Sequence, residues 1–135
     1  MLSRLEASSL TPPSLVPFSI AQRDVDKRCS VIAIEGELDL ATAPRLKWML
    51  VDALATGRAG LVVDLSRASF MDSTALGVLV GVNRSLDPDA RLAIVCDGDA
   101  VSKIFELSGM DGVFAIFPTL EPALGHVQGR SAEVG

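Results

Sequence analysis

The chain has 135 residues, 49 % of them hydrophobic, with 17 acidic against 12 basic side chains and a net charge of −5. That size fits one globular domain with an ordinary core and leaves no room for a second. The acidic balance argues against direct nucleic-acid binding or a polybasic membrane patch, so a protein partner or a small ligand is the expected counterpart.

Residues 1–16 carry Pro12 and Pro13 among Ser, Thr and Leu, with Pro17 next, a composition that resists regular structure. They read as a flexible Pro-rich N-terminal arm before a folded domain at residues 17–128 and a polar tail at 129–135. No apolar run approaches the roughly 20 residues that span a bilayer, and the first residues lack the apolar segment of a signal peptide. The expectation is a cytoplasmic chain with no membrane insertion.

From Phe18 the elements follow in order. "FSIAQ" reads as an edge strand, "RDVDKR" as a polar turn, and "CSVIAIEGELDL" as a second strand forming a hairpin with the first. "ATAPRLKWMLVDALATG" has Leu46, Met49, Leu50, Ala53 and Leu54 at helical spacing, Thr42 as the cap, Pro44 in the first turn and Gly57 as the stop. "GLVVDL" is a continuous apolar run suited to a central strand covered on both faces. A strand-end loop then leads into a helix from about Ser73 to Leu86. The turn "DPDA", the strand "RLAIVC", a helix "AVSKIFELSG" capped by Asp99 and closed by Gly109, a strand "VFAIF" and a last amphipathic turn or two, "TLEPALGHV", complete the domain. Alternating strands and helices predict a small α/β domain with a mixed, mostly parallel sheet of about four or five strands and helices packed against it.

The stretch "SFMDSTALGVLV" sets Asp72, Ser73 and Thr74 between two apolar segments. On a wheel of about 100° per residue, Ala75, Leu79, Val82 and Leu86 share the side that packs on the sheet. The opposite side holds Ser73, Gly77, Val80, Gly81 and Arg84: small groups, one exposed valine and a cation. A cap accounts for one polar side chain, and Asp72 suffices for it. A face continuing into two glycines lets another backbone approach, and a hydroxyl at a helix N-terminus tolerates a phosphate. Adding about 1.5 to 2 negative charges beside Asp72 would oppose docking of an apolar or acidic partner.

The blocks "GELDLATAPRL", "LVVDLSRASFMDSTALGVLV" and "KIFELSGMDGVFAIF" resemble, in order, the successive blocks of a STAS domain, in particular those of the bacterial anti-sigma factor antagonists. The resemblance runs from about Phe18 to Val127. It implies phosphorylation of Ser73, with Thr74 as the alternative acceptor, and a role for Asp39 in binding the kinase partner; the bland reading of Asp39 is a cap for the turn into the first helix. The partner-binding set expected on this basis is Asp39, Asp72, Ser73, Thr74, Gly77, Val80, Gly81 and Arg84. The resemblance further implies a GHKL-type serine kinase that is itself the anti-sigma factor. This kinase binds the unphosphorylated domain and releases its sigma factor, ATP serves only as the kinase's phosphate donor, and a PP2C-type phosphatase reverses the modification. Ala75 stands where the family usually has glycine, which stiffens the turn and bears on the phosphorylation rate.

Catalysis by the chain itself is not expected: the single His126 lies near the C-terminus, no Ser-His-Asp set can be assembled and no Gly-rich phosphate cradle follows a strand. No metal site is suggested either. The rival to a phosphoswitch is a STAS docking module in a regulatory assembly or transporter complex. Cys29 and Cys96 form no C-x-x-C pair and read as buried thiols; a redox bridge between them needs Cα atoms within about 7 Å. Trp48 falls opposite the apolar stripe of its helix, where it either packs under the N-terminal arm, which carries Leu10, Leu15 and Val16, or anchors a partner.

Overall fold

The computed structural model describes residues 17–98 and 100–129. The arm assigned to residues 1–16, the tail beyond Gly129 and the cap assigned to Asp99 lie outside the described residues. The elements are β1 (Ser19–Asp24), β2 (Cys29–Leu38), α1 (Ala43–Ala55), β3 (Gly60–Met71), α2 (Ser73–Arg84), β4 (Arg91–Val95), α3 (Ala100–Ser108), a 3-10 turn (Met110–Gly112), β5 (Ala115–Phe117) and α4 (Leu120–Val127). The strands lie in sequence order in one five-stranded sheet. β1 and β2 pair antiparallel as a hairpin, and every later neighbour is parallel.

Strand order that moves steadily in one direction, with crossovers of one hand, puts the crossover helices on one face of the sheet. Accordingly, α1, α2 and α3 pack over Ile32, Ile34, Leu38, Leu61, Val63, Leu65, Leu92 and Ile94 in the main core. The alternate residues Val31, Val62, Ala93 and Val95 point the other way, where α4 covers them with Ala123 and Val127. The expected burial of the "GLVVDL" run on both faces is met at Leu61, Val62 and Val63. No helix among the described residues is long and apolar enough to cross a membrane.

Three expectations need correction. The segment after "GLVVDL" is not a strand-end loop: β3 continues to Met71, because two register shifts in its pairing with β2 absorb the mismatch while Ala68 and Met71 stay in the core. The last strand begins at Ala115 rather than Val113, since the 3-10 turn occupies the residues before it. Cys29 and Cys96 are both buried but belong to different cores on opposite faces of the sheet. Cys29 pairs with Gly60, which pairs with Arg91, five residues before Cys96. At about 3.3 Å per residue and 4.8 Å per strand the two are separated by roughly 19 Å, far beyond bridging distance.

The hairpin is pinned to the chain leaving α1. Arg58 Nη2 donates to Asp24 Oδ2 at 2.7 Å, Arg58 Nε to Ser30 Oγ at 3.1 Å, and the buried Ser30 hydroxyl to Asp24 Oδ1 at 2.7 Å. Hydrogen bonds from Arg58, Ser30 and Gln22 hold the Asp24 carboxyl far below the usual carboxylate range. On the other face α4 docks through its C-terminal end, where Arg91 Nη1 donates to the His126 carbonyl at 2.9 Å.

Close packing beneath α4 generates two predictions. A Cβ on Gly60 would sit 2.6 Å from Cys29 Sγ and 2.8 Å from the Val127 carbonyl oxygen. Gly60→Ala should therefore lower unfolding stability by about 1–3 kcal/mol, as overpacking does, read by denaturant titration. Burial first, and the Arg91 charge second, push the His126 imidazole below its ordinary value of 6.5. Both folded and unfolded chains are neutral there above that value; as pH falls through it the unfolded chain takes up the proton first, so stability drops until the folded imidazole also titrates. His126→Phe should flatten the fall in stability as pH drops below 6.5, and an unchanged slope there would refute the assignment.

Candidate functional site

The site is built where the two longest parallel strands end together. Leu38 and Met71, both fully buried, are register partners at the ends of β2 and β3, and the Asp72 N–H donates to the Leu38 carbonyl at 3.1 Å. Whatever follows each strand is thereby held at one edge: Asp39 after β2, and Asp72, Ser73 and Thr74 after β3. This is the carboxyl end of the parallel sheet, where α/β folds place their binding sites.

Asp72 is the N-cap of α2, in extended conformation, and its Oδ1 accepts from the Ala75 N–H at 3.1 Å. Its carbonyl takes the first helical bond, from the Leu76 N–H. The capping task is thus complete without Ser73, which is the first residue of the helix and exposed, as is Thr74. The side-chain cap bond is made by Asp72 and not by Ser73, whose hydroxyl stands at the positive end of the helix dipole.

Asp39 does what a cap does. Its Oδ1 accepts from the backbone N–H of Ala41 at 3.0 Å and of Thr42 at 3.1 Å, while its carbonyl accepts from the Ala43 N–H at 2.7 Å. Thr42 occupies the cap position of α1 but makes no side-chain cap bond. Its backbone is already near-helical, so its hydroxyl turns back to donate to the Glu37 carbonyl at 2.9 Å and to accept from the Asp39 N–H at 2.8 Å. Thr42 therefore holds the expected cap position without a side-chain cap bond, and the Asp39 carboxylate instead caps the turn into α1, half-buried at the same sheet edge as Ser73.

Along α2, Ala75, Leu79 and Val82 are buried, as the wheel predicts. On the opposite side Gly77, Gly81 and Arg84 are exposed; Val80, expected to be exposed, is half-buried against the main core. A Cβ added at Gly77 or Gly81 would meet nothing within 4 Å. Nothing inside the fold requires glycine there, although each costs a helix interior about 0.5–1 kcal/mol relative to alanine.

These glycines line a groove of about 410 Å³ between α1 and α2, walled by Lys47 and Val51 on one side and by Thr74, Gly77, Val78 and Gly81 on the other. Lys47 and Val51 escape sequence reasoning because they lie on a different element; the only signal was Val51 standing off the buried stripe of its own helix. Leu40 and Phe70 are also missed: they leave 72 % and 42 % of their surface exposed at the same end of the sheet. The site thus joins two carboxylates, an exposed hydroxyl, an apolar rim and a groove floored by two glycines. Cys29, at the start of β2, lies at the other end of the sheet, and Cys96 is buried in the main core, so neither belongs to the site.

Residues 21–123 match the STAS domain family. The chain is 32 % identical over 120 residues to the anti-sigma-F factor antagonist RsfB of Mycobacterium tuberculosis, covering 89 % of this chain and 96 % of that one. Among solved structures, an anti-sigma factor antagonist from Mycobacterium paratuberculosis superposes with a TM-score of 0.77 at 30 % identity, covering 87 % of this chain and 97 % of its own. The anti-sigma factor antagonist SpoIIAA in its unphosphorylated form gives 0.71 at 26 % identity, covering 82 % and 97 %.

If the two glycines serve an outside contact, the isolated fold should prefer alanine. Gly77→Ala and Gly81→Ala are each expected to raise unfolding stability by about 0.5–1 kcal/mol in denaturant titration. A loss of stability in either variant would mean that the fold itself needs the glycine.

Proposed function

The chain belongs to the STAS domain family, and we propose that it is an anti-sigma factor antagonist that works as a Ser73 phosphoswitch. The reading has the unphosphorylated domain dock a GHKL-type serine kinase, itself an anti-sigma factor, through the edge formed by Asp39, Asp72, Ser73 and Thr74 and the groove beside Gly77 and Gly81. Docking frees the sigma factor, and the chain acts in the cytoplasm by binding rather than by turnover. Transfer of the ATP γ-phosphoryl group to Ser73 Oγ, with loss of the hydroxyl proton and release of ADP, ends the complex. Hydrolysis of the phosphoserine by a PP2C-type phosphatase restores it.

The observation that carries this reading is the division of labour between Asp72 and Ser73. Asp72 already accepts the Ala75 N–H, so Ser73 is an exposed acceptor that the helix does not need. A phosphate on it meets first-turn N–H groups and the helix dipole, and so is tolerated by the fold. The same phosphate adds about 1.5 to 2 negative charges next to Asp72 and Asp39, within an apolar and small-residue surface, and so opposes a partner seated there. Support also comes from the relatives: RsfB and SpoIIAA are both described as anti-sigma factor antagonists, and SpoIIAA is described in an unphosphorylated form.

Incubation with the host's anti-sigma factor and ATP should add one phosphate to the wild type, located at Ser73 by peptide mass analysis, and none to Ser73→Ala. Ser73→Ala should keep binding that partner in the presence of ATP, and Ser73→Asp should bind at least about tenfold more weakly, a difference of ~1.4 kcal/mol. Equal affinity of the two variants would sink the switch, and a phosphate on Thr74 instead would move the acceptor by one residue.

A further inference from the structure

A second concavity lies at the opposite end of the sheet from Ser73. Cys29, Gly60 and Arg91 are register partners at the starts of β2, β3 and β4, and the chain around them encloses about 510 Å³ against the end of α4. That volume suits a small molecule. Cys29, Gly60 and Val127 are its buried members, and Lys27, Arg28 and Arg91 stand around them with Asp26, Asp89 and Gln128.

The hydrogen bonds divide these groups into those the fold uses and those it leaves over. Asp26 Oδ1 accepts the N–H groups of Arg28 and Cys29, each at 2.8 Å, and its Oδ2 accepts Gln128 Nε2 at 2.8 Å. The Arg28 N–H and the Gln128 amide hold the Asp26 carboxyl below the usual carboxylate range, so this acid is committed to the hairpin turn. The cations are less engaged. Arg91 gives Nη1 to the His126 carbonyl at 2.9 Å, which offsets the negative end of α4 and spends one of five guanidinium N–H groups. Arg28 meets Asp89 only at 3.4 Å, between side chains 65 % and 75 % exposed, a pair that water largely dissolves. Lys27 makes no ion pair among the described residues. Gln128 Oε1 is enclosed with no hydrogen-bond partner, an acceptor left in want of a donor.

We propose that this cavity binds a small organic phosphate rich in hydroxyl groups, of the sugar phosphate class. The phosphate lies among Arg28, Arg91 and Lys27, and the hydroxyls donate to the Asp89 carboxylate and the Gln128 amide oxygen. Guanidinium forks match phosphate oxygens in pairs, and the lysine adds a point charge. No aromatic residue among the described ones lines the cavity, so a nucleobase would find nothing to stack on. The chain as a whole carries −5 and repels anions, so capture depends on these three cations rather than on the general field. The site is independent of the Ser73 reading, because it lies at the starts of β2 and β3 while Ser73 lies beyond the end of β3.

The isotope-labelled full chain is titrated at constant low ionic strength with glucose-6-phosphate, inorganic phosphate and adenosine monophosphate, following the backbone amide resonances. Glucose-6-phosphate should give saturable shifts centred on Cys29, Gly60, Arg91 and Gly129, leave the Ser73 and Gly77 amides in place, and bind more tightly than either other probe. Arg28→Ala and Lys27→Ala change exposed side chains and should preserve the folded spectrum while weakening binding. Arg91→Lys keeps the charge but removes the fork, and should weaken it about tenfold. Shifts that do not saturate, that spread over the whole surface, or that are unchanged in Arg28→Ala overturn the proposal. Inorganic phosphate or adenosine monophosphate binding as tightly as glucose-6-phosphate overturns it too, because the hydroxyl contacts would then contribute nothing.

Discussion

The pairing of β2 with β3 is the constraint on which the site depends. A parallel pair need not end together, because its two strands enter from separate crossovers, yet here the register carries through two shifts to finish at Leu38 opposite Met71. Both side chains are fully buried, so a slip of either strand by one residue would turn Leu38 or Met71 out of the main core. The cost of such a slip is what fixes Asp39 and Asp72 at one edge. The Asp72 N–H bond to the Leu38 carbonyl is the last rung, and α2 starts one residue later.

From that rung the two helix starts are organised by the same chemistry, a carboxylate accepting backbone N–H groups that have no helical partner. Asp39 serves α1 and Asp72 serves α2. A carboxylate at each of the two helix starts offsets the positive ends of the helix dipoles, and both remain half-buried at the edge. The hydroxyl of Ser73 is placed in that setting without being used by it. The glycines that follow reinforce the contrast, since they weaken α2 and gain nothing from the rest of the fold.

Much of this was legible in the sequence because it is local. Period-2 and period-3.6 patterns located β2, α1, β4 and α2, and the wheel gave the buried face of α2 as Ala75, Leu79 and Val82. The order of strands and helices gave the mixed sheet. The misreadings arose where a distant partner decides. Ser66 and Arg67 look like a break after an apolar run, but pairing with β2 keeps the chain extended across them. Thr42 and Asp39 are both good cap residues three positions apart, and only the backbone angles of Thr42 show that its hydroxyl has turned away. Val80 looks exposed on an isolated wheel, yet the main core reaches around to it. Lys47 and Val51 could not have been assigned at all, since the groove they wall exists only once α1 and α2 lie side by side.

The burial beneath α2 bears on how the proposed switch would act. Ala75 and Leu79 are wholly enclosed, and a core packed at crystal-like density does not deform gradually in response to a group added at its surface. The helix start has spare N–H groups and a favourable dipole, so a phosphate on Ser73 meets little resistance from the fold and has little leverage on it. Its free energy is therefore spent where water is displaced, at a partner seated on the edge. There, a group of about −2 charge must be desolvated against two existing carboxylates. A switch of this design needs no second conformation of the domain. It requires that the acceptor hydroxyl carry no structural duty, and the capping bond from Ala75 to Asp72 is what releases Ser73 from one.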